Sequence, residues 1–266
     1  MTVQPDVSVV TVTRARPRLL RRAMASVAGQ AGGLRIEHLA IVDSCPATLS
    51  AAAEQPGLAR AATWIAAPRA PAERGGVGRV ARLRNRGVRA ARGRWVAFLD
   101  DDNEWTADHL RGLVDTAGAA AVRACHSHMS IHWRDGSPYL DQRYPWARDD
   151  ESGRALYRDM VDLGVMSPGT NIARDRMDPP GTSRPALTVD MGEWLLDREL
   201  IAGLGLRTGY SPQERADGVG EDDKLMADLR DRGVDVACTG VPSLRYYLGG
   251  FSNGLRRPDR ETGELR

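Results

Sequence analysis

The sequence predicts an α/β protein built on an open, mostly parallel twisted sheet flanked by helices, with a more irregular second half. Three observations carry this reading. Apolar, β-branched runs alternate with segments of helical period as far as about residue 128. The clearest run, Trp95 to Leu99, leads directly into Asp100, Asp101 and Asp102. Beyond residue 128 the alternation loosens, and helical and strand signals become scattered.

In chain order, Val7 to Val12 reads as a buried strand. Pro17 is placed to open a helix, and Leu19, Leu20, Ala23 and Val27 recur at helical spacing. Leu39 to Val42 is a second strand, ending at Asp43, and Thr63 to Ala66 a third. Gly75 to Gly78 forms a loop before a helix over Arg79 to Ala91, which Gly93 would stop. After the Trp95–Leu99 strand, Thr106 can cap a helix over Ala107 to Val114. Ala120 to His128 reads as a strand, and Asp135-Gly136 as a hairpin turn. Tyr139 to Gly153 reads as loop, Gly192 to Ala202 and Glu221 to Arg232 as helices, and Val234 to Ala237 as a late strand. These segments divide the chain into a ligand-binding half over 1–128, a second half of the same domain over 129–252, and a polar, mobile tail over 253–266.

Composition narrows the function classes. Hydrophobic residues make up 42% of the chain, enough for a sizeable core. The net charge is +2, which gives no electrostatic case for nucleic acid. Lys224 is the only lysine, so 36 of the 37 basic residues are arginines, and any single arginine is a weak functional signal. Cys45, Cys125 and Cys238 are widely separated and odd in number, which fits free thiols in a reducing compartment better than disulfides or zinc. The first residues do not read as a signal peptide, and no apolar run reaches the ~20 residues of a membrane span. The expectation is a soluble, cytoplasmic protein with no integral membrane segment. Nothing in the sequence opposes a homo-oligomer.

Ligands of open α/β sheets bind beyond the carboxyl ends of the strands, which is where Asp100 to Asp102 fall. Three adjacent carboxylates repel one another unless a cation shares the site, and their oxygens suit Mg²⁺ or Mn²⁺. An acidic turn capping the following helix would explain the triplet equally well on its own. The surrounding sequence decides between the two. Arg84-Asn85-Arg86-Gly87-Val88, followed by Ala91 to Asp102, resembles the core of the family 2 glycosyltransferases, which have the GT-A fold. The first strand with Arg14 to Gln30, and Leu39 to Ser44 ending in Asp, resemble the same family. The similarity covers residues 6 to 115 well and 188 to 252 more loosely.

The resemblance implies an inverting enzyme that moves a sugar from a nucleoside-diphosphate donor to a soluble small-molecule or glycan acceptor. UDP is the default nucleotide, with dTDP or GDP as alternatives. Thr11, Thr13, Arg14 and Asp43 match the positions that hold the base and ribose. Arg84 matches the arginine on the donor nucleotide or diphosphate, with Arg79 and Arg82 competing. Asp102 matches the metal ligand; Asp100 lies nearer the sugar or ribose and can share the metal; Asp101 serves the donor loop or the helix start. Asp222 matches the general base, with Glu221 and Asp223 as alternatives, although acids at a helix start also suit the helix dipole. Asp190, Glu193 and Trp194 are candidate acceptor contacts, Trp194 being better suited to the core. Many relatives carry a further metal-binding His near the C-terminal end, where this chain reads Arg245 to Ser252 without one. A sugar nucleotidyltransferase, or a glycosyltransferase-like protein that binds without catalysing, are the rival readings.

Overall fold

The computed structural model describes residues 4–69 and 75–250. The chain folds as β1 (Val7–Thr13), α1 (Pro17–Ala28), β2 (Ile36–Asp43), α2 (Pro46–Ala53), α3 (Pro56–Ala61), β3 (Thr63–Ala67), α4 (Val77–Ala90) and β4 (Trp95–Phe98). Then follow β5 (Glu104–Trp105), α5 (His109–Ala120), β6 (Ala124–His132), α6 (Asp150–Asp162), β7 (Ile172–Ala173) and a single 3₁₀ turn (Met191–Glu193). The chain continues with β8 (Trp194–Asp197), α7 (Arg198–Leu204), α8 (Pro212–Asp217), α9 (Glu221–Asp231) and β9 (Val236–Tyr247). The tail read over 253–266 lies outside the described residues.

One nine-stranded sheet runs β3-β2-β1-β4-β8-β6-β9-β5, with β7 beside β6. The first four strands on this path are mutually parallel, so β1, β2, β3 and β4 all end on one edge. β8 enters antiparallel between β4 and β6, and β9 runs parallel to β6. Both halves of the chain therefore share one sheet.

The period of two along each strand sorts the apolar side chains into two cores, one on each face. Val7, Val9, Trp95, Ala97 and Leu99 pack with Ala23 and Val27 of α1 and with Leu110 and Leu113 of α5. Val10, Val96 and Phe98 pack with Leu83 and Val88 of α4 and with Leu225 and Leu229 of α9. Burial on both faces explains why the first strands read as continuous apolar runs. α4 comes close to the sheet because Gly87 faces β1; a Cβ there would stand 2.3 Å from a methyl of Val10.

Several sequence expectations shift. Gly192 to Ala202 is not one helix but a 3₁₀ turn, the strand β8 and the helix α7. Trp194-Leu195-Leu196 is too short for its periodicity to separate strand from buried helix. Its place between β4 and β6 decides the matter, and Asp197 starts the next helix by accepting from the amides of Glu199 and Leu200. The loop read over Tyr139 to Gly153 gives way to α6 at Asp150, capped by Asp149, which accepts from Ser152 N at 2.8 Å. α5 begins at His109 rather than Ala107, and Thr106 contributes only its backbone carbonyl there. β9 extends the late strand to twelve residues.

Candidate active site at the strand ends

The carboxyl ends of β1, β2 and β4 open onto a cleft of about 340 Å³. Thr13, Arg14, Arg16, Asp43, Arg69, Arg79, Arg84, Asp100, Asp101, Asp102, Glu221 and Tyr246 contribute to its lining. Most of the residues singled out in the sequence for a donor thus meet at one place.

At the end of β2, Asp43 accepts from two arginines. Arg79 donates to Oδ1 from Nε at 3.1 Å and Nη2 at 2.9 Å, and Arg69 donates to Oδ2 at 2.6 Å. Arg79 also donates to the carbonyl of Ala67 at the end of β3. Arg79 therefore serves the β2 end, while Arg82 is exposed.

At the end of β4 the three aspartates take different partners. Asp100 pairs with Arg84. Asp101 is buried and accepts from Thr13 Oγ1 at 2.7 Å and from Arg16 Nη1 at 3.2 Å. Asp102 accepts from the same Arg16 nitrogen at 2.9 Å. Burial, reinforced by the negative charges of Asp100 and Asp101, pushes the Asp102 carboxyl well above the usual carboxylate range. Behind the run, Asn103 Oδ1 accepts from Tyr247 N at 2.9 Å, which ties the loop to β9. The backbone then passes Asp102 so closely at Gly250 that a Cβ there would stand 2.6 Å from Oδ2. A glycine backbone thus sits against the acidic run in the segment where many relatives place a histidine.

The second half enters through α9. Arg84, itself almost fully buried, pairs with Glu221 as well as with Asp100. One guanidinium so joins the acidic run to a helix start 137 residues further along the chain. The three acids at that start divide their work. Glu221 is the partner of Arg84, and Asp223 accepts from the amide of Gly220 at 2.7 Å as a cap. Asp222 accepts from the amide of Asp223 at 3.0 Å and, among the described residues, forms no ion pair. Burial, with the adjacent charge of Asp223, raises the Asp222 carboxyl to about 6. The loop leading to α9 is fixed from two sides. Asn85 exchanges two 2.8 Å hydrogen bonds with the backbone of Leu206, and Lys224 Nζ bonds Gly209 O and Glu214 Oε1, each at 2.7 Å.

Three candidates stand away from the cleft surface. Thr11 lies two residues inside β1, roughly 6–7 Å below the strand end, and its hydroxyl lies 2.9 Å from His38 Nε2. Trp194 is fully buried in β8 and packs in the core shared with α4 and α9. Glu193 is also fully buried, with Oε2 accepting from Asp190 N at 2.8 Å. Neither Glu193 nor Trp194 has exposed surface to meet an acceptor, which corrects the expectation for both. Asp190 remains partly exposed, and burial together with the charges of Asp100 and Asp222 pushes its carboxyl up strongly. Arg16 and Arg69 were not anticipated; in so arginine-rich a chain, only their position after β1 and β3 marks them.

Among the described residues, no group of three or more His, Cys, Asp or Glu side chains is arranged to hold a metal alone. Carboxylate oxygens crowded at Asp100 and Asp102 nonetheless fit a hard divalent cation. Mg²⁺ is commonly held by one or two carboxylates together with substrate phosphates and water.

These features are those of a glycosyltransferase of GT-A architecture. The family described as Glycosyl transferase family 2 matches residues 8–177, and the chain belongs to it. The succinoglycan biosynthesis protein ExoO of Rhizobium meliloti (strain 1021) is 33% identical over 136 residues, half of this chain and 35% of its own length. The crystal structure of S. aureus TarS aligns over 93% of this chain and 37% of that chain, with a TM-score of 0.58 at 12% identity. A structure of TarS 1-349 in complex with UDP-GlcNAc aligns over 98% of this chain and 62% of that chain, with a TM-score of 0.56 at 10% identity. At such identities the structural likeness concerns the fold. The aligned regions cover 35% of ExoO, 37% of the first TarS chain and 62% of TarS 1-349. No described helix is long and apolar enough to cross a membrane.

Proposed function

We propose that the protein is an inverting glycosyltransferase. It moves a sugar from a nucleoside-diphosphate sugar, UDP-linked by default, to a small-molecule or glycan acceptor. The observation that carries this reading is the double pairing of Arg84, which joins the acidic run to Glu221 at the start of α9 beside one cleft. Thr13, Arg14 and Asp43 line the part assigned to the base and ribose, and Arg84 with Asp100 the part assigned to diphosphate and sugar. A Mg²⁺ or Mn²⁺ ion held by Asp102, with Asp100 beside it, would supply charge neutralisation of the diphosphate leaving group. Arg84 adds a fixed positive charge where the leaving group gains negative charge. Asp222 removes the proton of the attacking acceptor hydroxyl, and Asp190 borders the same space.

A base must be deprotonated to act, so the raised Asp222 carboxyl sets an acidic limb. Turnover should fall as pH drops through about 6. In Asp223→Asn the neighbouring negative charge is gone, and the limb should move to lower pH. A rate profile with the same limb in both proteins would take the base role away from Asp222. The reaction class is tested by incubating the protein with UDP-sugars and Mn²⁺ and identifying the nucleotide product. Release of UDP supports transfer. Conversion of the donor to UTP and sugar 1-phosphate when pyrophosphate is supplied favours nucleotidyl chemistry, and bound but unconsumed donor favours a silent binding protein.

A further inference from the structure

Arg16 stands out among the cleft arginines because it contacts the proposed metal ligand directly. One guanidinium nitrogen, Nη1, lies 2.9 Å from Asp102 Oδ2 and 3.2 Å from Asp101 Oδ1. The backbone that presents it is fixed. Ala15 holds a left-handed conformation with φ 54°, and its amide donates to the buried Thr48 hydroxyl at 3.1 Å. The next arginine in reach, Arg22, is committed elsewhere: it donates to the carbonyl of Asp102, and its guanidinium lies 3.6 Å from the Tyr247 ring centre. The Arg16 side chain keeps about a third of its surface exposed and lines the cleft.

A divalent ion and a guanidinium cannot both sit on one carboxylate oxygen at full strength, because like charges at hydrogen-bond distance repel. We propose that Arg16 competes with the divalent cation for Asp102, so that metal binds tightly only together with a nucleoside diphosphate. The diphosphate makes this exchange favourable twice over. Its oxygens complete the metal's shell, and they offer the displaced guanidinium a bidentate anionic partner. Metal and nucleotide then bind with positive coupling through a side chain that touches both. This inference rests on Asp102 being the metal ligand of the proposed function.

Mn²⁺ binding, followed by electron paramagnetic resonance of the free ion, tests it without turnover. Wild type, Arg16→Ala and Arg16→Lys are titrated with and without saturating UDP, each checked for an unchanged thermal melt. Without UDP, Arg16→Ala should bind Mn²⁺ roughly tenfold more tightly than wild type. Arg16→Lys, which keeps the charge, should stay near wild type. With UDP the advantage of Arg16→Ala should vanish, because the diphosphate draws the wild-type guanidinium off Asp102; the variant should keep only the smaller coupling that comes from diphosphate oxygens on the metal. Equal or weaker Mn²⁺ affinity in Arg16→Ala without UDP overturns the competition, while leaving the Asp102 assignment standing. No Mn²⁺ bound by any of the proteins, even with UDP, overturns both.

Discussion

Asp222→Asn should bind UDP as wild type does and turn over roughly 10²- to 10⁴-fold more slowly, the range associated with losing a positioned general base. The separation between binding and turnover follows from the division of labour at the start of α9. Glu221 is held by Arg84, and Asp223 caps the helix, so neither is altered by the change at 222. Asparagine keeps the size of the side chain and an oxygen to accept from the Asp223 amide, so the helix start should hold. Calorimetric titration of UDP gives the first quantity and steady-state kinetics the second. A loss of UDP affinity as large as the loss of rate would show that residue 222 shapes the donor site instead. A normal rate would move the base elsewhere, with Asp190 the next carboxylate to test, since its pKa responds to both Asp100 and Asp222.

Replacing Arg84 by Met should be the most damaging single change to stability. Its guanidinium is almost wholly enclosed, and it is the counter-charge of both Asp100 and Glu221. Truncating one partner of a buried pair leaves an uncompensated charge, which costs about 3–5 kcal/mol. Asp100 is more than a third exposed and can hydrate, so the lower end of that range is expected, about 3 kcal/mol, from Glu221. Urea unfolding at pH 7 measures the loss. The double variant Arg84→Met with Glu221→Gln should recover part of it, because the stranded carboxylate is then neutral. An unchanged midpoint for Arg84→Met would mean that the two acids are solvated well enough to need no arginine.

How far the sequence reveals this arrangement depends on the range of the interactions involved. The β1, β2 and β4 ends were legible because each apolar run stops at a polar residue that faces the cleft: Thr13, Asp43 and Asp100. Local pattern suffices there, since parallel strands place their ends together. Asp222 was singled out by its order along the chain and its helix start. The failures share a different cause. β8 is decided by its neighbours β4 and β6, and three apolar residues carry no period of their own. Trp194 inherits that error, because its burial follows from the strand, and Glu193 is buried in the 3₁₀ turn just before it. Thr11 and Thr13 have the same side-chain type and the same face of β1, and differ only in depth. Arg16 and Arg69 owe their roles to partners 85 and 26 residues distant. Where nearly every basic residue is an arginine, composition gives no reason to single them out.

The central claim is that the strand-end cleft is the nucleotide-sugar site. Hydrogen exchange read by mass spectrometry, with and without saturating UDP and Mn²⁺, tests it directly, because bound ligand raises the free energy of opening wherever it makes contact. Slowed exchange is predicted in peptides covering the ends of β1, β2 and β4 and the start of α4, with the loop before α9 affected through Arg84. Protection confined to other surfaces, or none at a UDP concentration that calorimetry shows to be saturating, would contradict the account.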